Sequence, residues 1–523
     1  MNLWWMNCKG VWDQGLLLRT LRGDFGRFPL PLTEYVKTLP PADEGAIAVV
    51  NGMIVSRPNG TQDLGHLKGL PWSLLLHTSD ESHEWDSAGY GTQKWMSYAT
   101  PEHMGDRRVL IGPQEDTLRL LPPRKPLGER RHEVFFAGQS NNIERRELQS
   151  VLGDRAHISP GFSQGLERRD YLAELADTKV APCPSGTVHP DSFRLYEAIE
   201  AGCMPVVDTP GWWQWMGTPV RTLEKWTQLP LLLAEYREDP LRLQLDANST
   251  QAWWHRYCVE YKDALVESAC RVSGTPVPEN PVTVIMTTSP VHLCPDTRFL
   301  QDAVARTRSY PLFRDAPIIL CFDGVRPEQE HYRARYLEYM RRVLDLIQTD
   351  SNFRGVMPLV FRSHVHQAHM AKAALGYVKS PFVFFQEHDT YPMGEIDWDA
   401  LLRAFKNPAV NYIRLSIFPR VLPEHRYLFP NGEAVENIEG APLVLTRQYS
   451  QRPHLARTEW YKWLLSRFVT ETTRAMIEDL VIGWAESEPW GLYLYSPPTP
   501  DITRSGHSFA RAKSDPKWTI DSF

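Results

Sequence analysis

The chain has 523 residues, too many for one hydrophobic core, and its 42% hydrophobic and 23% charged residues are those of a globular protein. A net charge of −6 with no clustering of Lys and Arg argues against a general nucleic-acid-binding surface. The seven Cys show neither C-x-x-C spacing nor the density of a disulfide framework, so a reducing compartment is expected and a zinc-stapled domain is not.

Residues 1–10 contain no basic region followed by an apolar run, and no segment approaches the ~20 apolar residues of a membrane span. A cytoplasmic protein is therefore expected. Residues 1–125 hold short apolar runs at 46–50 and 72–76 with Gly, Pro and Asn between them, the pattern of strands in a first α/β domain. The Pro-rich stretch 120–128 reads as a connection. A strand at 133–136, a charged helix at 141–152 and a strand at 180–184 then belong to a second α/β half over 126–271. The 18 Trp residues, clustered at Trp212-Trp213-x-Trp215 and Trp253-Trp254, are expected mainly in cores and interdomain surfaces.

The most informative run is Cys183 to Val207. It reads as a strand end, a Gly/Pro loop, an amphipathic helix opening near Asp191, a stop at Gly202 and a buried strand. The loop and helix start, with Ser185, Gly186, Ser192 and Arg194, present backbone N–H groups suited to an anion such as a diphosphate. Glu197, one to two turns into the helix, is placed to accept hydrogen bonds from ribose hydroxyls. Arg145 and Arg146 on the preceding helix are candidates to offset the charge of a departing nucleotide.

The Pro/Gly segment 272–282 is a linker, and a fresh α/β alternation fills 283–523. Strands are expected at 282–286, 317–322, 358–361 and 382–385, and helices near 296–307, 328–346 and 367–378. The strand 382–385 is apolar throughout and runs into Glu387-His388-Asp389. Carboxylates spaced i, i+2 at the carboxyl end of a buried strand can converge on a hard divalent cation.

The run Ser192-Phe193-Arg194, Glu197-Ala198 and Gly202-Cys203-Met204-Pro205-Val206 resembles the nucleotide-sugar half of exostosin-like glycosyltransferases. That resemblance implies a GT-B type pair of Rossmann-like domains over 1–271, followed by a GT-A type α/β domain. It also implies a bifunctional enzyme transferring sugars from nucleotide-sugar donors to a glycan acceptor, with hydroxylated bases of DNA as an alternative acceptor. A non-catalytic sugar-nucleotide-binding protein with one decayed module is the third reading. The triplet Glu387-His388-Asp389 resembles the DxD signature of GT-A enzymes but departs from it at the first position. It implies Mn²⁺ or Mg²⁺ held by Asp389, with Glu387 on the ribose or a metal-bound water. In the same resemblance Thr287 and Asp323 face the donor, Glu478-Asp479 lie near the acceptor hydroxyl with Asp479 as general base, and His507 is a late metal ligand. In the first module Asp80 is the candidate base, and no metal is expected there. The segment 450–454 with Trp460 is read either as an acceptor wall or as a packed connection.

Overall fold

A computed structural model of the chain describes residues 1–6, 8–36, 45–51, 73–78, 92–100, 107–161, 164–187, 189–415, 423–487, 489–496 and 510–512. They form two compact units, Met1–Pro278 and Glu279–Phe523. Both are mixed α/β; the sheets of the first are parallel, and that of the second combines parallel and antiparallel pairs.

The first unit contains two parallel sheets. One is built from β1 (Asn2–Trp4), β2 (Thr33–Tyr35), β3 (Ala46–Asn51), β4 (Ser73–Thr78), β5 (Gln93–Met96) and β6 (Arg107–Arg108), in the order β2-β1-β3-β4-β5-β6. The run AIAVVN of β3 is buried at every position, as a parallel sheet covered on both faces requires. The other sheet contains β7 (His132–Val134), β10 (Thr178–Cys183), β11 (Met204–Val207) and β12 (Arg221–Thr222), in the order β12-β11-β10-β7. The chain continues from β7 into β8 (Phe136–Gly138), which pairs in parallel with β9 (Ala156–Ile158). In the first sheet the winding starts at β1 and reverses between β1 and β3. The second is wound in one direction from β7 to β12, and a reversal arises only where β7 continues into β8, which pairs with β9 while β7 pairs with β10.

The two sheets belong to one compact unit because single elements touch both. The 34-residue helix Pro240–Ser273 packs against β11 and also against β3 and β4. Gly45, entering β3, lies so close to its end that a Cβ would sit 2.9 Å from the Val272 carbonyl. The helix Phe193–Glu200 supplies Glu200, 1% exposed, to an ion pair with Arg19, 3% exposed, on the helix Gly15–Arg22. Trp254 Nε1 donates to the same Glu200 oxygen at 3.3 Å. Trp5, Trp95, Trp213, Trp226 and Trp254 are all fully buried, in keeping with the structural role expected of the Trp clusters.

The second unit has a nine-stranded sheet in the order β15-β14-β13-β16-β22-β18-β23-β21-β20. Its parallel half is β13 (Val282–Thr288), β14 (Ile318–Phe322), β15 (Val356–Val360) and β16 (Phe382–Glu387), with a reversal of winding between β13 and β16. The mixed half holds β18 (Tyr412–Leu415), β20 (Glu436–Ile438), β21 (Ala441–Thr446), β22 (His454–Arg457) and β23 (Leu492–Tyr495). Beyond β16, the short β17 (Thr390–Pro392) pairs with β24 (Ala510–Ala512). The segment expected as one helix near 328–346 is a 3₁₀ turn, Pro327–Tyr332, followed by the α-helix Arg333–Thr349. Pro327 starts the turn, where its missing N–H costs nothing. Among the described residues no helix is long and apolar enough to cross a membrane.

The buried Arg19–Glu200 pair generates a stability prediction. Arg19→Met leaves a buried carboxylate uncompensated and should remove about 3–5 kcal/mol from the urea unfolding transition of the first unit, whereas Arg19→Met/Glu200→Met should recover most of it. Equal losses in the single and double variants would show that the two charges do not act as a pair.

Candidate functional site

Ligands of open α/β sheets sit outside the carboxyl ends of the strands where the winding reverses. In the first unit that point lies beyond β8 and β10. Asn142 caps the helix Ile143–Leu152, its Oδ1 accepting from Arg145 N at 2.8 Å. Its Nδ2 donates to the carbonyls of Ser185 (3.1 Å) and Gly186 (2.9 Å). Arg145 Nε also donates to the Ser185 carbonyl at 3.1 Å, and Nη1 to Asn141 Oδ1 at 3.3 Å. Arg194, in the first turn of the helix Phe193–Glu200, donates to the Ala137 carbonyl and lies 4.6 Å over the Phe136 ring. Its Nε is buried without a partner. A Cβ on Gly138 would come within 2.5 Å of the Arg194 guanidinium, so a glycine at the end of β8 is what admits it.

The hydrogen bonds of both guanidiniums thus go to neutral oxygens, and among the described residues neither pairs with a carboxylate. Burial, and then the positive charge of Arg194, bring Arg145 down to about 10, so it stays protonated at neutral pH. Asp208 and Glu144 act on Arg145 through space and offset part of this charge, but neither pairs with it directly, so two neighbouring, partly buried guanidiniums favour an incoming anion.

The remaining predicted residues of this unit are placed differently. Ser185 is anchored inward: its N–H donates to both oxygens of buried Asp208 (3.1 and 3.2 Å), and its hydroxyl donates to the same carboxylate. Trp226 Nε1 donates to Asp208 as well, at 3.1 Å. Gly186 N donates to the His189 carbonyl at 2.8 Å, and the Ser192 hydroxyl is buried without a partner at the helix start. Arg146 is exposed and joins none of these contacts. Glu197 is buried in an ion pair with Arg168 Nη1 at 2.8 Å. Arg168 is tied in turn to Asp116 through Nε and to Thr117 Oγ1 through Nη2, both at 2.8 Å. Asp80 lies outside the described residues.

Asp191 lies just before the same helix, and the sequence did not single it out as a side chain. Its oxygens accept from Tyr196 OH (2.6 Å) and Ile111 N (3.1 Å), and burial outweighs these bonds to push its carboxyl from 3.8 to about 7. His189 stands beside it. The Asp191 N–H donates to His189 Nδ1 at 3.1 Å, so the ring proton sits on Nε2, which donates to the Ala99 carbonyl at 3.1 Å.

In the second unit the reversal point lies beyond β13 and β16. Glu387 ends β16 opposite Thr287 of β13, a buried residue whose carbonyl accepts from His388 N at 3.0 Å. Burial first, and the charge of Asp389 next, drive the Glu387 carboxyl up to about 8 against the pull of Arg452. Glu387 and Asp389 are both half-buried and repel each other at the end of one strand, the demand a dication meets, so they fit as two ligands of such an ion. Among the described residues no third His, Cys, Asp or Glu completes a cluster. His507 lies outside the described residues.

The helix Ile477–Ser487 brings Glu478 and Asp479 to the same region, with Asp479 exposed. Burial raises Glu478, against the backbone of Gln451, Arg414, Ser450 and Arg452. Arg452 belongs to the segment 450–454 singled out in the sequence, whereas Arg414 carries no spacing signal and was not anticipated. Asp323, expected to face the donor, has its oxygens taken up by the chain. They accept from Gly324 N and Val365 N, each at 2.8 Å, and from His366 N at 3.1 Å, while His364 Nδ1 lies 2.8 Å away. Of the two readings of 450–454, the packed connection describes His454. It is fully buried among Phe385, Tyr412 and Tyr461, and burial lowers its imidazole to about 3.

No protein family and no curated protein matches the chain. Among solved structures it is similar to S. aureus TarS at 13% identity over 42% of this chain and 35% of that one, with a TM-score of 0.28. It is similar to the mannosyltransferase PcManGT from Pyrobaculum calidifontis, in complex with GDP-Man and Mn²⁺, at 15% identity over 49% and 70%, with a TM-score of 0.26. The bifunctional IspDF from Campylobacter jejuni follows at 14% identity over 42% and 50%, with a TM-score of 0.23. The chain spans about a third of the length of TarS.

The Asp191 carboxyl predicts a pH dependence. Its affinity for a proton is higher folded than unfolded, so its contribution to stability is complete below about pH 4 and is lost as the pH rises through about 7. Asp191→Asn should flatten the fall in unfolding midpoint between pH 4 and 7, and an unchanged slope would refute the assignment.

Proposed function

We propose that the chain is a glycosyltransferase with two donor sites, one at the reversal point of each unit's sheet. The observation that carries this reading is the guanidinium pair Arg145 and Arg194, which lacks a carboxylate partner and lies where a nucleotide's phosphates are expected in such a sheet. In the first unit, read as a GT-B type pair of Rossmann-like domains, these side chains and the start of the helix Phe193–Glu200 would bind the diphosphate. They would offset the charge that builds on it as the sugar leaves, with no metal needed. Glu197, fixed by Arg168, is the group for the ribose hydroxyls.

The second unit, read as a GT-A type domain, has the opposite electrostatics. Asp389 and Glu387 would hold Mn²⁺ or Mg²⁺, which when bound neutralises diphosphate oxygens. Asp479, exposed at the start of its helix, would take the proton of the acceptor hydroxyl, and Glu478 lies beside it in a partly buried position. The acceptor is read as a glycan, and the overall charge supplies no general attraction for DNA.

The test is nucleotide release from a panel of UDP- and GDP-sugars, with and without Mn²⁺. Arg145→Met/Arg194→Met should abolish a metal-independent activity, and Asp389→Ala a metal-dependent one, each leaving the other within about twofold. Removing charge-assisted contacts of this kind lowers turnover by roughly 10²–10³-fold. No turnover and no donor binding by the unaltered protein would refute the enzyme reading.

A further inference from the structure

Gln367 is the second residue of the helix His366–Leu375 and is 4% exposed, yet both ends of its amide are engaged. Nε2 donates to Glu387 Oε1 at 2.9 Å, and Oε1 accepts from the Ile477 N–H at 3.4 Å. A backbone N–H only donates, so the amide has one orientation: oxygen toward Ile477, nitrogen toward Glu387. One buried side chain therefore spans from the carboxyl at the end of β16 to the first turn of the helix that carries Glu478 and Asp479. The backbone repeats the link, Ala368 N donating to the Ala475 carbonyl at 3.3 Å.

What holds Gln367 in place is Asp323. Its carboxylate gathers the N–H groups of Gly324, Val365 and His366 and so ties the end of β14 to the turn just before Gln367. The turn is tight. His366 has a left-handed φ of 67°, and a Cβ on Gly324 would overlap the backbone of Ser363. A left-handed non-glycine residue costs of order 1–3 kcal/mol and persists only where its surroundings fix it. Here the Asp323 carboxylate does so.

We infer that Asp323 and Gln367 form a positioning relay that sets the Glu387 carboxyl against the helix bearing Glu478 and Asp479. Gln367 is the residue that fixes the distance between the donor side and the acceptor side of the second unit's site. Its donated hydrogen bond occupies Oε1 of Glu387 and leaves Oε2 as the oxygen available to a ligand. This inference rests on the donor-site reading of the second unit. It assigns Asp323 to holding the turn.

The experiment uses the full chain and two variants. Gln367→Met keeps the volume and removes both hydrogen bonds; Gln367→Glu keeps an acceptor for Ile477 and removes the donor to Glu387. The activity followed is the one abolished by Asp389→Ala, and binding of Mn²⁺ alone is titrated in parallel by electron paramagnetic resonance. Support residues of this kind typically change metal affinity or activity by about 10–100-fold. Gln367→Met is expected to weaken Mn²⁺ binding and lower kcat by that order, with the thermal midpoint little changed. Gln367→Glu is expected to lower kcat by at least about tenfold. Should Gln367→Met fail to fold, Gln367→Glu decides alone. Wild-type kcat in a folded variant overturns the relay and leaves the donor-site reading standing. No Mn²⁺ binding and no Asp389-dependent activity in the unaltered protein overturns both, and is seen before any Gln367 variant is made.

Discussion

The short helix Phe193–Glu200 is the constraint on which the first unit depends. Its acids and the residues leading into it are answered one by one from other parts of the chain, Glu200 by Arg19, Glu197 by Arg168 and Asp191 by the Ile111 amide, while Tyr196 of the helix itself also donates to Asp191. The Arg19 and Ile111 partners lie on the side of the first sheet, so the helix that opens the candidate donor site also ties that sheet to the second. A buried ion pair is weak evidence of net stability, but removing one partner is expensive. The arrangement therefore specifies how the two sheets meet more than it adds to the core. Trp212 and His189, both donating to the Ala99 carbonyl at 3.1 Å, strengthen the same junction.

The two units differ in the charge they gather at their reversal points. At the reversal point of the second sheet of the first unit the excess is positive, with Arg145 and Arg194 bonded only to neutral oxygens. At the corresponding point of the second unit the excess is negative, with Asp389 raising the Glu387 carboxyl. A polyanionic diphosphate can be met directly by the first and only through a cation by the second. The contrast follows from which side chains emerge at the strand ends.

Much of the layout was legible because it depends on local pattern. Runs such as residues 46–50 and 382–385 are apolar enough to be buried on both faces, and such runs form the parallel strands β3 and β16. The helix after Ser192 and its stop at Gly202 were visible from amphipathicity and glycine placement, and Gly202 has a φ of 71° as the stop requires. Boundaries were less legible: the expected strand 133–136 is split at Phe135 into β7 and β8, and that split creates the second edge on which β9 pairs.

The sequence by itself determined the strand and helix succession and marked the Pro/Gly break at 272–282, and it singled out Ser185, Gly186, Arg145 and Arg194 without showing that any of them meet. It determined these because hydrophobic period, glycine and proline act over a few residues. Only the tertiary structure decided what each polar group does once buried. It gave Glu197 to Arg168, Asp323 to the turn at 364–366, and Gln367 to Glu387 and Ile477, pairings that join residues 29, 43 and 110 positions apart. The physical reason is that a buried polar group must find a partner wherever the fold brings one, and no local pattern records where that is.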